Sequence, residues 1–167
     1  MPEGTAIERM RAEDVEAVVA IDRESTGSSA WDDGMLSGEL SRTWAHLWVV
    51  RPVTSPSPPL AFLATWLVQD ELHVLNIATH VDHRRKGHAR ALLQHGLAFA
   101  REHAVRHVLL EVRRSNEAAI GLYRRMGFVA MGLRARYYSD DEDAVEMLLR
   151  LDPETGELIL GRDEVTL

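Results

Sequence analysis

Residues 75–100 read LNIATHVDHRRKGHARALLQHGLAFA, and this stretch decides how the rest of the chain is interpreted. Its first part is an apolar, strand-like run that ends near Ala78. A basic segment containing Gly87 follows, and apolar residues then recur at the i, i+3, i+4, i+7 spacing of one helical face. These residues are Ala89, Leu92, Leu93, Gly96, Leu97 and Ala100. The pattern predicts a strand, a loop and a helix in succession.

The start of the predicted helix has the properties of an anion-binding site. The first backbone N–H groups of a helix have no intrahelical acceptor, and the macrodipole favours negative charge there. Gly87 carries no side chain that would keep a phosphate from the backbone. The nearby cations are Arg84, Arg85, Lys86 and Arg90. We interpret the loop as a pyrophosphate-binding segment; the alternative is a solvated basic turn.

The spacing within this loop distinguishes between phosphate-binding motifs. The sequence contains neither the GxxxxGK motif of a P-loop nor the GxGxxG motif of a dinucleotide-binding fold. It does contain Arg84, Gly87 and Ala89 in the pattern Arg-x-x-Gly-x-Ala. That pattern resembles the acetyl-CoA signature of the GCN5-related N-acetyltransferase (GNAT) superfamily. The resemblance implies acetyl-CoA as co-substrate and the mixed α/β GNAT fold, in which splayed central strands bind acetyl-CoA.

Downstream segments are similar to a narrower group within the same superfamily. They are LEVR at 110–113, SNEAAIGLY at 115–123 and MGF at 126–128. A Tyr-Tyr pair at 137–138 precedes Asp-Ala-x-x-Met at 143–147. These elements resemble the RimI-type enzymes, which acetylate the N-terminal alanine of a small-subunit ribosomal protein. The resemblance implies that the acceptor is the N-terminal peptide of a protein substrate, and that this protein is ribosomal.

The composition indicates a soluble globular chain. Its 167 residues suit one domain, which we place at 1–151 with a C-terminal tail at 152–167. A net charge of −7 argues against a nucleic-acid partner, and the absence of cysteine excludes disulfides and thiol catalysis. No apolar run approaches the roughly 20 residues of a membrane-spanning helix. We therefore expect a cytoplasmic protein with no membrane partner.

The remaining periodicities predict the order β-α-α-β-β-β-α-β-α-β-β, a mixed α/β fold with a largely antiparallel first half. Before the central segment we predict a strand at 6–10 and helices at 12–23 and 31–40, with a small-residue break at 25–30 between the helices. A strand then starts at 47 and is followed by a proline-rich loop at 51–59. An antiparallel pair of strands occupies 60–68 and 71–79. After it we predict a strand at 108–112, a helix at 116–126 and strands at 128–131 and 144–151. Residues 158–160 have no assignment.

Two residues have the chemistry that acetyl transfer to an amine requires. An α-amino group has a pKa of about 7.7–8.0 and needs only a modest base. Glu111 is the lone carboxylate in an apolar strand, where burial would raise its pKa; the alternative is that it points to solvent. Tyr123 lies on the following helix and is either a proton donor or a packed aromatic residue. The resemblance assigns Glu111 as general base and Tyr123 as general acid.

The same resemblance implies how acetyl-CoA is held. The backbone of 77–79 pairs with the pantetheine arm, residues 85–90 surround the pyrophosphate, and Asn116 contacts the cofactor. The full set of implied cofactor-binding residues is Ile77, Ala78, Thr79, Arg84, Arg85, Lys86, Gly87, His88, Ala89, Arg90 and Asn116.

The eight histidines raise the question of a metal site. His80 with His83, and His103 with His107, have suitable spacing, but no HExxH motif and no suitably spaced acidic partner accompany them. We therefore expect no metal.

Two other functions remain open at this stage. One is acetylation of lysine or of a small-molecule amine on the same fold, because fold alone does not define the acceptor. The other is a non-catalytic acyl-CoA-binding sensor. A sensor has no need for both Glu111 and Tyr123, so their joint presence argues against it.

Overall fold

A computed structural model describes residues 1–27, 30–54 and 56–167. Its elements in order are β1 (Thr5–Arg9), α1 (Val15–Thr26), α2 (Asp33–Leu40), β2 (Ala45–Pro52), β3 (Ala61–Val68), β4 (Glu71–Thr79), α3 (His88–Glu102), β5 (His107–Arg113), α4 (Glu117–Arg125), β6 (Val129–Arg134), β7 (Ala144–Leu151) and β8 (Leu158–Ile159). The order from β1 to β7 is the predicted one. The mixed α/β fold with mostly antiparallel strands is confirmed, and β8 is an addition.

The chain divides into two compact units, and the first comprises Met1–Leu67 and Leu75–Gly96. Here β2 pairs antiparallel with both β1 and β3, and β4 follows β3 in the strand order. The apolar side chains of α1, among them Val18 and Ile21, share a buried cluster with Leu47, Phe62 and Ala78. The one-sided apolar periodicity of the α1 sequence thus becomes the core of this unit.

The second unit comprises Val68–Val74 and Leu97–Leu167. In it β5 pairs parallel with the first half of β4 and antiparallel with β7, and β7 pairs antiparallel with β6. Along β5, Val108, Leu110 and Val112 are buried, whereas the alternate residues are half-buried. Since successive side chains of a strand point to opposite faces, Glu111 lies on the half-buried face of β5.

The parallel ladder between β4 and β5 is short. It joins Glu71–Val74 to His107–Leu110 and ends there. Glu111, Val112 and Arg113 continue to pair with β7 on their other edge. Within the described residues, the β4-side edge of these three residues therefore has no ladder partner.

Local sequence signals explain where the helices begin and end. The side chain of Asp32 accepts a hydrogen bond from the Met35 backbone N–H at 2.8 Å and caps α2. Asn116 caps α4 through the Ala119 N–H at 3.2 Å. Gly127, at φ +104°, follows α4 in the left-handed region that favours glycine. Local residue types thus account for the caps of α2 and α4 and for the stop of α4.

The predicted first helix differs from the observed one at both ends. A 3-10 turn occupies Ala12–Asp14, and α1 then runs to Thr26, into the predicted break at 25–30. Arg51 and Pro52, assigned to the proline-rich loop, instead end β2. Pro52 is the last residue of that strand, where a missing N–H interrupts no further ladder. Residues 28, 29 and 55 of these two segments lie outside the described residues.

The C-terminal tail contributes to the second unit. Its strand β8 pairs with the end of β7, opposite Arg150 and Leu151. Leu158 lies so close to Gly127 that a β-carbon there would be 2.7 Å from the Leu158 Cδ2 atom. Farther along, the Glu164 N–H donates to the Ala130 carbonyl at 2.8 Å. Residues 158–160, unassigned from sequence, thus include a strand that packs on the turn after α4.

Candidate active site

The basic loop bends sharply into α3. Arg85 and Gly87 both have positive φ, +63° and +87°. The Gly87 carbonyl accepts the first helical hydrogen bond, from the Ala91 N–H at 3.0 Å. The N–H groups of His88, Ala89 and Arg90 therefore occupy the first turn of the helix, where no intrahelical acceptor exists. The predicted strand–loop–helix junction is present at the predicted residues.

The cations of the loop fall into two groups. The Arg84 guanidinium donates to the Thr79 carbonyl at 3.2 Å and to the Ser25 hydroxyl at 3.3 Å, and Lys86 donates to the Asp82 carbonyl at 3.3 Å. These two side chains hold the loop together. Arg85 and Arg90 are exposed and, within the part of the chain that the structure describes, form no ion pair. Their guanidinium groups therefore remain available to an anionic ligand.

His88 is the buried polar side chain of this helix start. It is 4% exposed, and its Nδ1 atom has no hydrogen-bond partner among the described residues. Burial lowers the pKa of His88, and the nearby His83 and Lys86 lower it further. The imidazole is therefore neutral at pH 7 and retains an unsatisfied ring nitrogen.

The loop fits a diphosphate on these observations. Three first-turn N–H groups, two exposed cations and a buried orphan nitrogen lie within residues 85–90. A β-carbon at Gly87 would meet only the Pro2 Cγ atom, at 4.0 Å, so the space above the glycine is open. The residues implied by the resemblance are thus compatible with the pyrophosphate of acetyl-CoA.

We expect Gly87→Ala to raise the KM for acetyl-CoA about fivefold and to leave kcat at saturating donor unchanged. The left-handed conformation at φ +87° costs an alanine about 1 kcal/mol, and relaxation of the loop would transfer that cost to donor binding. Steady-state kinetics with varied acetyl-CoA measures the effect. Gly38→Ala is the matched control, because that glycine lies in α2 with no atom near the added methyl group. An unchanged KM in Gly87→Ala would contradict the assignment.

The end of β4 contains the implied pantetheine-binding residues. Ala78 is buried in the core of the first unit, whereas Ile77 and Thr79 are half-buried. The register of β4 with β5 stops at Val74, so residues 77–79 have no parallel partner among the described residues. A strand edge of this kind offers N–H and C=O groups to an extended, amide-containing ligand. The Thr79 carbonyl already accepts from Arg84.

Glu111 is in a different environment from the expected one. Its side chain is 29% exposed, and Arg134 Nη1 lies 3.4 Å from its Oε1 atom. The Tyr137 phenol hydrogen-bonds to it, which is the main reason that the pKa of Tyr137 is raised. The expectation of an isolated, buried carboxylate is wrong, because the alternation of β5 places Glu111 on the half-buried face beside a cation.

Tyr123 is buried in the second unit. It is 6% exposed, and its ring packs against Phe128 with centroids 5.8 Å apart. Burial raises the pKa of Tyr123 to about 12, and the nearby Tyr138 adds to the shift. The phenol therefore keeps its proton at every physiological pH. The ring packs as an aromatic residue. The hydroxyl group is not ionised, so it can act as a hydrogen-bond donor or as an acid.

Asn116 is exposed at the start of α4. Its side-chain carbonyl is engaged by the Ala119 N–H, so its amide NH2 group is the part that remains for a ligand. Its implied contact with the cofactor stays a prediction.

The segment that carries Tyr137 and Tyr138 is fastened to the end of β5. Arg113 contacts the carboxylates of Asp140 and Glu142 at 2.9 and 2.8 Å. The same guanidinium lies 4.1 Å from the centre of the Tyr138 ring. The connection between β6 and β7 is therefore held in place by a charge network rather than being a simple solvated turn.

Sequence reasoning did not identify the partners of Glu111. Arg134 and Glu146 lie 23 and 35 positions after it in the numbering, on β6 and β7. No local motif connects them to Glu111. The alternation of β7 did place Glu146 on the polar face of that strand, and this was the available signal.

No group of three or more His, Asp or Glu side chains suited to a metal ion occurs in the residues that the structure describes. Likewise, none of the described helices is long and apolar enough to cross a membrane.

The sequence of this chain is similar to those of known acetyltransferases. The profile of the acetyltransferase (GNAT) family matches residues 29–128. The ribosomal protein bS18-alanine N-acetyltransferase of Salmonella typhimurium (strain LT2) is 34% identical over 122 residues, covering 71% of this chain and 80% of that protein.

Two solved structures have the same fold. The crystal structure of the ribosomal-protein-S18-alanine N-acetyltransferase from Escherichia coli superimposes with a TM-score of 0.78 at 28% identity, over 98% of this chain and 99% of that one. Arabidopsis thaliana NAA60, solved in complex with acetyl-CoA, has a TM-score of 0.76 at 16% identity, over 86% of this chain and 97% of that one. At 16% identity, the similarity to NAA60 shows only that the two chains share a fold.

Proposed function

Because the chain belongs to the acetyltransferase (GNAT) family, we propose that it is an acetyl-CoA-dependent Nα-acetyltransferase. Its acceptor is the N-terminal alanine of a small-subunit ribosomal protein. The observation that carries this proposal is the similarity over nearly the whole chain, 98%, to a ribosomal-protein-alanine N-acetyltransferase. The Tyr137-Tyr138 and Asp143-to-Met147 elements, which resemble that group of enzymes, add support.

Acetyl-CoA supplies the acetyl group as a thioester. We assign its diphosphate to the N–H groups at the start of α3 and to Arg85 and Arg90. The open edge of residues 77–79 supports the assignment of the pantetheine arm to that segment. The amide of Asn116 is assigned a further contact with the donor.

Two side chains of the second unit complete the proton transfers. Glu111 accepts the proton that the amine nitrogen loses as its bond to the acetyl carbon forms. Tyr123 gives a proton to the sulfur as the carbon–sulfur bond breaks. The raised pKa of Tyr123, about 12, supports this role because the phenol is fully protonated when transfer occurs. Solvent later restores both groups to their starting states.

The half-exposed position of Glu111 supports a base that serves an α-amine rather than lysine. An α-amino group with a pKa of about 7.7–8.0 is partly uncharged at neutral pH, so a partly exposed carboxylate suffices as its base. Lysine, at about 10.4, requires a stronger base or a more apolar site. Acetylation of lysine is therefore less favoured than acetylation of an α-amine, and small-molecule amines are the remaining alternative acceptors.

The test is acetyl-CoA turnover with short peptides that begin with Ala, Ser, Met or Gly. An N-blocked peptide containing lysine, a polyamine and an amino sugar complete the panel. We expect kcat/KM to be highest for a free N-terminal alanine and negligible for the blocked peptide. Turnover of only the blocked peptide or the small amines would retain the family and overturn the proposed acceptor.

A further inference from the structure

A second carboxylate and a guanidinium accompany Glu111. We propose that Arg134, held by Glu146, is a positioning residue that orients the Glu111 carboxylate for proton transfer. This inference rests on the proposed function, because it concerns the general base of that reaction.

The strand register brings the two carboxylates together. Glu111 on β5 and Glu146 on β7 are direct cross-strand partners. Like charges that face each other across an antiparallel pair destabilise it. Arg134 relieves this repulsion, since its Nε atom lies 2.5 Å from Glu146 Oε1 and its Nη1 atom lies 3.4 Å from Glu111 Oε1. One guanidinium thus bridges two carboxylates.

The backbone of β6 makes room for this arrangement. The β6–β7 register shifts between Ala130 and Gly132, and Gly132 then faces Glu146. A β-carbon at Gly132 would collide with the Glu146 carboxylate. Residues 132 and 134 share one face of β6, because strand side chains alternate. The glycine therefore leaves the space into which Glu146 reaches to contact Arg134.

The remaining neighbours of Glu111 come from the connection between β6 and β7. The Tyr137 phenol donates a hydrogen bond to Glu111, and the Arg134 guanidinium lies 5.5 Å from the Tyr137 ring centre. Tyr138 is also near enough to sense the charge of Glu111. The charged and titratable groups that face Glu111 within the second unit are thus Arg134, Glu146, Tyr137 and Tyr138.

The two partners of Glu111 act in opposite directions. Arg134 attracts the Glu111 carboxylate, from which its Nη1 atom lies 3.4 Å. Glu146 repels the same carboxylate across the strand pair and competes for the same guanidinium. Removal of one partner should therefore affect Glu111 in the opposite direction from removal of the other.

The test is the titration of the Glu111 side-chain carboxyl by carbon-13 NMR in the full chain, with the resonance assigned by its loss in Glu111→Gln. We expect Arg134→Met to move the midpoint upward, and Glu146→Gln to move it downward, each by about 0.5–1 pH unit. Arg134→Lys keeps the charge and should leave the midpoint near that of the unmodified protein. Arg124→Met is the matched control, because Arg124 also pairs with one carboxylate, that of Asp163, in the same unit.

Kinetics with the preferred acceptor provide the second readout. We expect Arg134→Met to lower kcat about tenfold at pH 7, with the KM for acetyl-CoA unchanged and with partial rescue in Arg134→Lys. Midpoints that stay in place, or that move in the same direction in both variants, would overturn the positioning role. Full activity of Glu111→Gln together with shifted midpoints would instead overturn the base assignment of the proposed function, so the two failures are distinguishable.

Discussion

Replacement of Glu111 by glutamine is expected to lower kcat for N-terminal acetylation by about 100-fold or more at pH 7, since general-base catalysis typically contributes 10²–10⁴-fold. Glutamine has nearly the same shape and still accepts a hydrogen bond from Tyr137, so the loss would reflect proton transfer rather than packing. Initial rates at saturating acetyl-CoA and peptide measure it. Binding of CoA, followed by calorimetry, should be unchanged.

The pH dependence of this deficit identifies the proton that Glu111 removes. Below about pH 7.7 the acceptor is mostly an ammonium ion and requires a base. Above that pH the free amine is abundant, so the ratio of unmodified to variant rates should fall as pH rises. Glu154→Gln, an exposed glutamate in the tail, is the matched control. A ratio that is constant from pH 6 to 9 would contradict the base role and indicate that Glu111 only orients the acceptor.

Replacement of Tyr123 by phenylalanine is expected to lower kcat by about 100-fold while thermal stability changes little. The ring and its contact with Phe128 remain, and only the hydroxyl is removed. A thiolate that leaves without a positioned acid is a poorer leaving group, so the effect belongs to kcat rather than to acetyl-CoA binding. Single-turnover measurements separate the chemical step from product release.

The alkaline behaviour and a second tyrosine provide the controls for Tyr123. With a pKa of about 12, Tyr123 stays protonated through pH 10, so the unmodified protein should show no loss of kcat from its ionisation in that range. Tyr138→Phe removes a hydroxyl from another tyrosine with a pKa of about 12. Because that variant keeps the Tyr123 hydroxyl, it should lower kcat far less than Tyr123→Phe does. Equal kcat values in Tyr123→Phe and the unmodified protein would remove Tyr123 from the reaction.

The helix-start site illustrates how much of a functional site is visible in local sequence. Its parts are contiguous: the basic residues, Gly87 and the first turn of α3 lie within 84–90. Helix geometry alone places their N–H groups at one end, whatever the rest of the chain does. Which cations face outward was not visible, because Arg84 and Lys86 bind backbone carbonyls that only the folded loop brings near.

The environment of Glu111 shows the opposite case. Sequence identified the residue and its strand, but an apolar neighbourhood in sequence did not mean burial in space. Cross-strand register, which depends on the bulge in β6 as well as on hydrophobic pattern, determines that Glu146 faces Glu111 and that Arg134 reaches both. Register is a property of the assembled strands, so no periodicity within one of them reveals it.

The sequence by itself therefore determined the order of elements from β1 to β7, the caps of α2 and α4, the anion-binding helix start and the identity of two candidate proton-transfer residues. Each depends on interactions between residues close in the chain, for which spacing and residue type are sufficient information. Only the tertiary structure decided the half-exposed position of Glu111, its bridging by Arg134, the burial of Tyr123 against Phe128, and the pairing of β8 with β7. These depend on contacts between distant segments, whose free energies are set by packing and strand register rather than by local preference.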